Sequence, residues 1–250
     1  MTLDSSPAPT RPLVLGHRGA PREARENTLE AFAAARGQGA DGVELDVHRT
    51  ADGALVVHHD AAVDGFGVLA DHTLAEIFDA LPFVPTLDAV LDLCAGMLVN
   101  VEIKNSPPDA DFDPAERMAE QVVELVVDRA RRDSVLVSSF HLLTIDRVHA
   151  LDPTIRTGYL MVFDPSPHAA LELAAARGHA AIHPFLAALG PDVVAGVVER
   201  GRELGVDVNA WTVNDEGEIT RLAGAGVAAI ITDIPDVALR ALGRVTERQA

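Results

Sequence analysis

Cysteine is nearly absent from this chain, which holds Cys94 as its single cysteine among 250 residues. One thiol excludes an intramolecular disulfide and a zinc site built from several cysteines. Because Cys94 lies in the apolar segment 91–98, we expect it in the core and not as a nucleophile. Aromatic residues make up only 4% of the chain, so the core has to be built from Ala, Val, Leu and Ile.

Basic residues are also few, since 20 of them face 38 acidic residues and leave a formal net charge of -18. No basic run offsets this charge, so we expect neither nucleic acid nor an anionic membrane as a partner. No apolar run approaches the ~20 residues that cross a bilayer. Residues 1–11 lack the apolar region of a signal peptide and are predicted to form a flexible tail. The expected location is the cytoplasm.

What the chain does contain is an alternation of short apolar runs with longer segments of helical periodicity. This pattern is typical of parallel strands joined by helices, and the length suits one domain, predicted over residues 12–245. The predicted strands are Leu13–His17, Gly42–Val47, Leu98–Lys104, Val135–Phe140, Arg156–Val162, Ala180–Pro184, Val206–Val213 and Ala228–Thr232. Eight parallel strands close a barrel, so the predicted fold is a (β/α)8 barrel.

The segments between these strands predict helices with recognisable ends. Asn27–Gln38 begins with a capping residue and has Glu30 three positions on, much like a capping box; either Asn27 or Thr28 could be the cap. Residues 60–97 are predicted to hold a loop and one or two short helices. Further predicted helices are Ala115–Arg132, Leu142–Leu151, Pro167–Gly178, Pro191–Gly205 and Asp215–Gly226.

An additional strand, Leu55–His59, follows the second barrel strand after an Asp-Gly pair. This pair favours a two-residue hairpin turn, so we expect a short antiparallel hairpin at the mouth of the barrel. Counting outward from such a turn places Asp46 opposite His59 and turns His58 to the other face. Glu44 would then share a face with Asp46 and His59.

Polar residues stand at the carboxyl ends of the predicted strands, where the active sites of such barrels lie. Residues two apart on a strand point to the same face, so the acidic pair on the second strand and the acid–lysine pair on the third both face one cavity. Near the seventh strand, a tryptophan is either a wall of this cavity or core filler. The residues concerned are His17, Arg18, Glu44, Asp46, Glu102, Lys104 and Trp211.

Three carboxylates that face one cavity repel each other unless some are protonated or a cation lies between them. Ligation by oxygen alone suits Mg²⁺ or Ca²⁺ better than Zn²⁺. We therefore expect Glu44, Asp46 and Glu102 to hold one divalent cation. Together with Arg18 and Lys104, this cation would supply the positive field that a phosphodiester needs.

His17 and His59 have side chains that titrate near neutral pH, and we expect them to act as a general acid and base. Each motif alone has a plainer explanation, because an isolated Glu-x-Asp pair is usually a salt-bridge feature and a lone histidine is usually structural. The occurrence of all these groups at strand ends of one barrel favours a catalytic site.

Several stretches form a larger pattern. They are His17-Arg18-Gly19, Glu26-Asn27-Thr28, Glu44-Leu45-Asp46-Val47, His59-Asp60, Val101-Glu102-Ile103-Lys104, Trp211-Thr212-Val213-Asn214 and Thr232-Asp233. With these motifs the sequence resembles the glycerophosphodiester phosphodiesterase family over residues 13–239. The segment 61–67 that follows the second histidine motif is shorter than in the family, and it borders the expected pocket.

The resemblance implies a metal-dependent enzyme that cleaves glycerophosphodiesters into sn-glycerol 3-phosphate and an alcohol. It implies that the glycerol 2-hydroxyl attacks phosphorus and that water opens the cyclic phosphate. By this resemblance, the acid/base pair corresponds to His17 and His59. The metal ligands correspond to Glu44, Asp46 and Glu102, and the phosphate contacts correspond to Arg18 and Lys104.

Two alternatives stay open at this point. A lysophospholipase D-like enzyme would use the same acid/base pair on a lipid-bearing diester, and it would need an apolar groove at the barrel mouth. A non-catalytic phosphoester-binding barrel would gain nothing from that pair. The leaving alcohol, the choice between Mg²⁺ and Ca²⁺ and the oligomeric state are not determined by the sequence.

Overall fold

The computed structural model describes residues 11–162 and 164–244. Its strands are β1 (Leu13–His17), β2 (Gly42–Arg49), β3 (Leu55–Val57), β4 (Ala62–Val63), β5 (Gly67–Val68), β6 (Leu98–Ile103), β7 (Val135–Ser139), β8 (Arg156–Met161), β9 (Ala181–Pro184), β10 (Asp207–Ala210) and β11 (Ala229–Thr232). Its helices are α1 (Leu29–Gln38), α2 (Leu74–Ala80), α3 (Leu87–Leu93), α4 (Arg117–Asp128), α5 (Leu142–Leu151), α6 (Pro167–Arg177), α7 (Val194–Leu204), α8 (Glu216–Ala225) and α9 (Pro235–Ala241).

Eight of the strands form the predicted closed parallel barrel. Around the barrel the order is β1, β11, β10, β9, β8, β7, β6 and β2, and β2 pairs with β1 to close the ring. The seventh barrel strand, β10, ends at Ala210, three residues earlier than predicted. Trp211 beyond it keeps an isolated bridge to Phe185, and its side chain lines the mouth of the barrel.

The hydrophobic core lies between the barrel and the surrounding helices. On β2, alternate residues such as Val43 and Leu45 are fully buried, and they belong to one cluster with Phe32 and Ala35 of α1. Cys94 belongs to the same cluster, and burial raises the pKa of its thiol to about 11. The prediction of a core cysteine is thus confirmed. The β2 residues that alternate with Val43 and Leu45, which include Glu44 and Asp46, point into the barrel.

The helix α1 begins at Leu29, and of the two candidate capping residues the structure uses the second. Thr28, not Asn27, caps the helix, and its side chain accepts a hydrogen bond from the backbone N–H of Ala31. Asn27 adopts a left-handed conformation with φ of 56° and donates from its amide to Asp46 at 2.8 Å. The capping function therefore belongs to its neighbour, and Asn27 supports an acidic residue inside the barrel.

The predicted hairpin register is wrong by one residue. The loop holds three residues, 51–53, with Gly53 in the left-handed region at φ of 87°. As a result the backbone N–H of His58 donates to the carbonyl of Asp46 at 3.0 Å, so His58 and not His59 lies opposite Asp46. The strand ends at Val57, and the chain then bends. This bend brings the His59 side chain back to the barrel mouth.

Residues 60–97 hold α2 and α3 as the predicted short helices and an unpredicted β4–β5 ribbon. The helix α2 packs in a small separate cluster, whereas α3 packs with α1 in the main core. Of the predicted tail over residues 1–11, only Arg11 belongs to the described residues, and residue 245 at the end of the predicted domain lies outside them. Across the described part of the chain, no helix combines the length and apolarity that a membrane crossing requires.

Candidate active site

A cavity of about 210 Å³ opens at the carboxyl ends of the barrel strands. Seven of the eight predicted site residues line it, and the eighth, Asp46, forms ion pairs with Arg18 and Lys104 of the lining. Larger depressions of about 410 and 510 Å³ lie elsewhere, and neither has a histidine in its lining. The concentration of titratable groups therefore selects the smaller cavity as the candidate site.

The turn after β1 places His17 and Arg18 at the rim. It is tight, because a Cβ atom at Gly16 would lie 2.2 Å from the carbonyl oxygen of Gly19. Gly19 itself adopts φ of 93° and packs against the backbone of Ala31 in α1. Only glycine fits both positions, so the turn that aims the two functional side chains depends on them.

The acidic cluster arises from two neighbouring parallel strands. In the register of β2 and β6, Asp46 lies beside Glu102, and Glu44 lies one step deeper on the same face. One oxygen atom from each of the three carboxylates can be chosen so that all three atoms lie within 4.8 Å of one another, and all three residues are buried. The trio was predicted from its spacing, and the strand register explains why it converges.

Two cations contact the cluster directly. The Nζ atom of Lys104 lies 3.0 Å from Glu102 and 3.4 Å from Asp46, and the guanidinium of Arg18 lies 3.2 Å from Asp46. Burial lowers the pKa of Lys104, but Glu102 and Asp46 outweigh burial and raise it, so the amine stays charged. Lys104 is the only lysine in the sequence.

The charges in the cluster are still not balanced. Burial and the neighbouring Asp46 raise the pKa of Glu44 to about 8 and that of Glu102 to about 7. Burial acts on Asp46 as well, but Lys104 and Arg18 outweigh it and hold the pKa of that carboxyl below its ordinary value. Two cations are thus too few for three ionised carboxylates, and this all-oxygen donor set fits a hard divalent cation.

Asp233, which was not among the predicted site residues, orients His17. The Nδ1 atom of His17 donates to the Asp233 carboxylate at 2.7 Å, while Nε2 faces Glu44 at 3.9 Å. The Asn214 side chain donates to the second oxygen of Asp233 at 2.5 Å and accepts from its backbone N–H. A signal was available in the sequence, because Asn214 and Asp233 both follow barrel strands.

His59 has a support of a different kind. The buried imidazole of His48 lies with Nε2 3.2 Å from the backbone carbonyl of His59 and with Nδ1 2.6 Å from the carboxylate of Asp111. His48 therefore ties the bend that carries His59 to the loop after β6. Sequence reasoning assigned His48 no role, because its partner Asp111 lies 63 residues away in an irregular segment.

The two site histidines carry opposite pKa shifts. Burial lowers the pKa of His17, but the hydrogen bond to Asp233 and the charge of Glu44 outweigh burial, so the pKa lies above its ordinary value. For His59 the effect of burial prevails over the attraction to Asp46, and its pKa lies below the ordinary value. One ring thus favours holding a proton and the other favours releasing it, as an acid/base pair requires.

One wall of the cavity is apolar. Trp211 packs edge-on against Phe140 and Phe185, with ring centroids 5.5 and 5.3 Å apart. Its indole N–H donates to the backbone carbonyl of His183 at 2.7 Å. Because this donor is already used inside the protein, Trp211 offers the cavity a flat apolar surface and no hydrogen bond to a phosphate.

Sequence comparison connects this site with known enzymes. The model of the glycerophosphoryl diester phosphodiesterase family matches residues 17–237. A glycerophosphodiester phosphodiesterase of Caldanaerobacter subterraneus subsp. tengcongensis is 35% identical over 244 residues, covering 90% of this chain and 95% of that protein. A glycerophosphodiester phosphodiesterase of Bacillus subtilis is 31% identical over 258 residues, covering 92% of this chain and 86% of that protein.

Solved structures agree with this relationship. A phosphodiesterase of Oleispira antarctica, in complex with the product sn-glycerol-3-phosphate, has a TM-score of 0.79 and 27% identity, covering 93% of this chain and 97% of that one. A glycerophosphodiester phosphodiesterase of Thermotoga maritima has a TM-score of 0.79 and 28% identity, covering 92% of this chain and 98% of that one. The fold is thus shared along nearly the full length of the chains.

Proposed function

Because this chain belongs to the glycerophosphoryl diester phosphodiesterase family of phosphoric diester hydrolases, we propose that it hydrolyses glycerophosphodiesters to sn-glycerol 3-phosphate and an alcohol. The observation that carries the proposal is that His17 and His59 line the same cavity as the acidic residues Glu44 and Glu102. A barrel that only bound phosphoesters would have no use for two imidazoles of opposite pKa shift beside such a cluster.

In the proposed reaction, the 2-hydroxyl of the glycerol unit attacks phosphorus while one imidazole takes its proton. The other imidazole gives a proton to the oxygen of the leaving alcohol as its bond to phosphorus breaks. Water then adds to the cyclic phosphate with the two roles exchanged, and the bond from phosphorus to the 2-oxygen breaks. Asp233 holds His17 in place through both steps. His48 holds the bend of the chain that carries His59, because it contacts the backbone carbonyl of His59.

Arg18 and Lys104 bind the phosphate oxygens in this proposal, since each carries a charged donor into the cavity. Glu44, Asp46 and Glu102 would hold one Mg²⁺ or Ca²⁺ ion. When bound, such a cation supplies positive charge that stabilises the negative charge developing on the phosphate oxygens. The apolar ring of Trp211 closes the opposite side and limits the access of water.

The test is a substrate panel with the purified protein. Glycerophosphocholine, glycerophosphoethanolamine and lysophosphatidylcholine are each incubated after EDTA treatment, then with Mg²⁺ or Ca²⁺ restored. The product detected is sn-glycerol 3-phosphate for the first two and lysophosphatidic acid for the lysolipid. We expect release from the two glycerophosphodiesters with a divalent cation and none with EDTA. Binding of these esters without release under any metal would contradict the proposal, and full activity in EDTA would contradict its metal dependence.

A further inference from the structure

Asn100 lies at the floor of the cavity. It precedes Glu102 by two residues on β6, and it lies beside Glu44 in the register with β2. Two residues along a strand correspond to roughly 6.6 Å, so Asn100 lies that far back along β6 from Glu102 and deeper in the barrel. It nevertheless belongs to the lining of the cavity, and nothing in the proposed reaction uses it so far.

The amide of Asn100 has no partner among the described residues. The residue is 1% exposed, and neither its oxygen nor its nitrogen makes a hydrogen bond. Buried polar side chains are paired in the large majority of cases, so an unpaired amide that faces a cavity points to a ligand. Leu160 and Ile231, which line the same cavity, have no polar side-chain group, and the indole N–H of Trp211 is already bonded to His183.

The chemistry of an amide selects the ligand. An amide has donors and an acceptor side by side, and a hydroxyl group, which also donates and accepts, satisfies both. A phosphate oxygen could accept from the amide N–H groups but would leave the amide oxygen without a donor, and cations for the phosphate already stand nearer the mouth. The ligand of Asn100 is therefore a neutral hydroxyl.

The glycerol unit of the substrate has two free hydroxyls. The 2-hydroxyl has to lie at phosphorus, between the two imidazoles, which leaves the terminal hydroxyl. We propose that Asn100 binds this terminal hydroxyl and so restricts the enzyme to diesters whose glycerol carries it free. This inference rests on the proposed function and adds the residue that recognises the glycerol end of the substrate.

A consequence concerns lipid substrates. An acyl group on the terminal hydroxyl removes the donor that Asn100 needs, and the chain would have to pass through the floor. The aliphatic residues of the lining, Leu160 and Ile231, are 4% and 1% exposed, so an acyl chain at this end of the cavity would have to displace them. The arrangement therefore excludes lysophospholipids acylated at this oxygen and disfavours the lysophospholipase D-like alternative.

The first test compares glycerophosphocholine with 2-hydroxyethyl phosphocholine, an analogue that keeps the attacking hydroxyl but lacks the terminal CH₂OH group. We expect kcat/KM of the parent to favour the glycerol ester by about 10- to 100-fold, because a buried polar group left unpaired weakens binding on this order. In Asn100→Leu the ratio should approach one. Because the ratio is taken within one variant, a general loss of activity cancels.

Ser138 provides the matched control. It lies on the neighbouring strand β7 inside the barrel, is fully buried and has an unpaired hydroxyl, but it does not line the cavity. We expect Ser138→Ala to keep the parental ratio. Asn100→Ala serves as a second variant if Asn100→Leu does not give the circular dichroism spectrum of the parent.

A binding measurement separates this inference from the proposed function. Calorimetry with Mg²⁺ or Ca²⁺ present compares sn-glycerol 3-phosphate with 2-hydroxyethyl phosphate and needs no turnover. A preference for the glycerol compound that disappears in Asn100→Leu supports the inference even if the parent hydrolyses nothing, in which case only the proposed function fails. An unchanged preference in a folded Asn100 variant, or parental turnover of 1-acyl lysophosphatidylcholine as fast as glycerophosphocholine, would overturn it.

Discussion

His17 and Asp233 are 216 residues apart in the sequence and are joined by a hydrogen bond of 2.7 Å between Nδ1 and Oδ1. They meet because β1 and β11, the first and last barrel strands, pair in parallel with Gly16 beside Thr232. Closure of the barrel is therefore what assembles this part of the site. The carboxylate fixes the tautomer and the orientation of the ring, with Nε2 directed at the cavity.

Replacing Asp233 by Asn tests this relationship. The hydrogen bond and the charge of Asp233 both raise the pKa of His17, so Asp233→Asn should lower that pKa and move the limb of the pH–rate profile governed by His17 to lower pH. We expect kcat to fall by about 10- to 100-fold, the usual effect of removing an orienting partner, with a smaller change in KM.

Asp236→Asn is the control for this substitution. Asp236 lies three residues further on, at the start of α9, where it pairs with Arg240 and not with a site residue. Its variant should keep the parental rate and pH profile. If Asp233→Asn behaves in the same way, His17 does not depend on this carboxylate.

The two histidines proposed as acid and base allow a sharper comparison, because a third histidine, His58, adjoins His59. His17→Ala and His59→Ala should each reduce the rate by about 10²–10⁴, the usual span for a positioned proton-transfer group. His58→Ala should have little effect, since His58 bonds to the backbone of Asp60 and does not line the cavity. Rates are measured with glycerophosphocholine, and near-parental activity of either site variant would reject its role.

The positions of the site residues also show what the sequence could and could not predict. The convergence of Glu44, Asp46 and Glu102 follows from strand parity, which a linear sequence displays directly. The position of His59 was predicted through a two-residue hairpin loop, whereas the loop has three residues and the register is shifted by one. His59 reaches the cavity because the chain bends after β3, and no local pattern predicts that bend.

Contacts with residues of irregular segments could not be predicted from the sequence for a similar reason. His48 and Asp111 lie on a strand and on the loop after β6, and their contact depends on how that loop folds back over the mouth. Loops have no periodicity from which a contact can be counted. Asp233 was nearer to prediction, because it directly follows the last barrel strand and the geometry of a closed barrel makes β1 its neighbour.

The acidic trio leads to a prediction in which metal affinity and stability change in opposite directions. Glu44→Gln removes one of three mutually repelling carboxylates, and burial and Asp46 already raise the pKa of Glu44 to about 8. Without a divalent cation, the variant should therefore have a higher Tm than the parent at neutral pH and above. With Mg²⁺ or Ca²⁺ it should show weaker cation binding, and its activity should recover in part at high metal concentration.

Glu124→Gln removes the same charge from an exposed position on α4 and serves as the control. Its Tm and its cation affinity by calorimetry should match those of the parent. Cation binding by Glu44→Gln as tight as that of the parent would show that the ligand set is different.

Lys104, the only lysine in the sequence, is tested by two substitutions. Lys104→Met removes a charged donor from the cavity, and we expect kcat/KM to fall by about 10- to 100-fold, since a hydrogen bond to a charged group contributes about 1.5–3 kcal/mol. Lys104→Arg restores the charge but replaces a compact ammonium by a planar fork, so rescue should be partial. Equal kcat/KM for the parent and Lys104→Met would exclude a phosphate contact.

The last prediction concerns His183, a buried residue of β9 that the proposed reaction does not use. Burial lowers the pKa of His183 to about 3, whereas an imidazole in an unfolded chain titrates near 6.5. Between about pH 6.5 and pH 3 the unfolded state therefore binds a proton that the native state does not, and the free energy of unfolding falls as the pH falls. Above about pH 6.5 this contribution to stability is fully present.

His183→Gln removes the titration and keeps an acceptor for the Asn209 amide, which lies 3.0 Å from Nε2 of His183. Its unfolding free energy should lose up to about 1.4 kcal/mol less per pH unit than that of the parent over the acidic range. Urea unfolding of both proteins between about pH 4.5 and pH 7.5 measures the difference, and the exposed His168→Gln on α6 should follow the parent. Parallel curves for the parent and His183→Gln would mean that the ring titrates alike in the folded and unfolded chains.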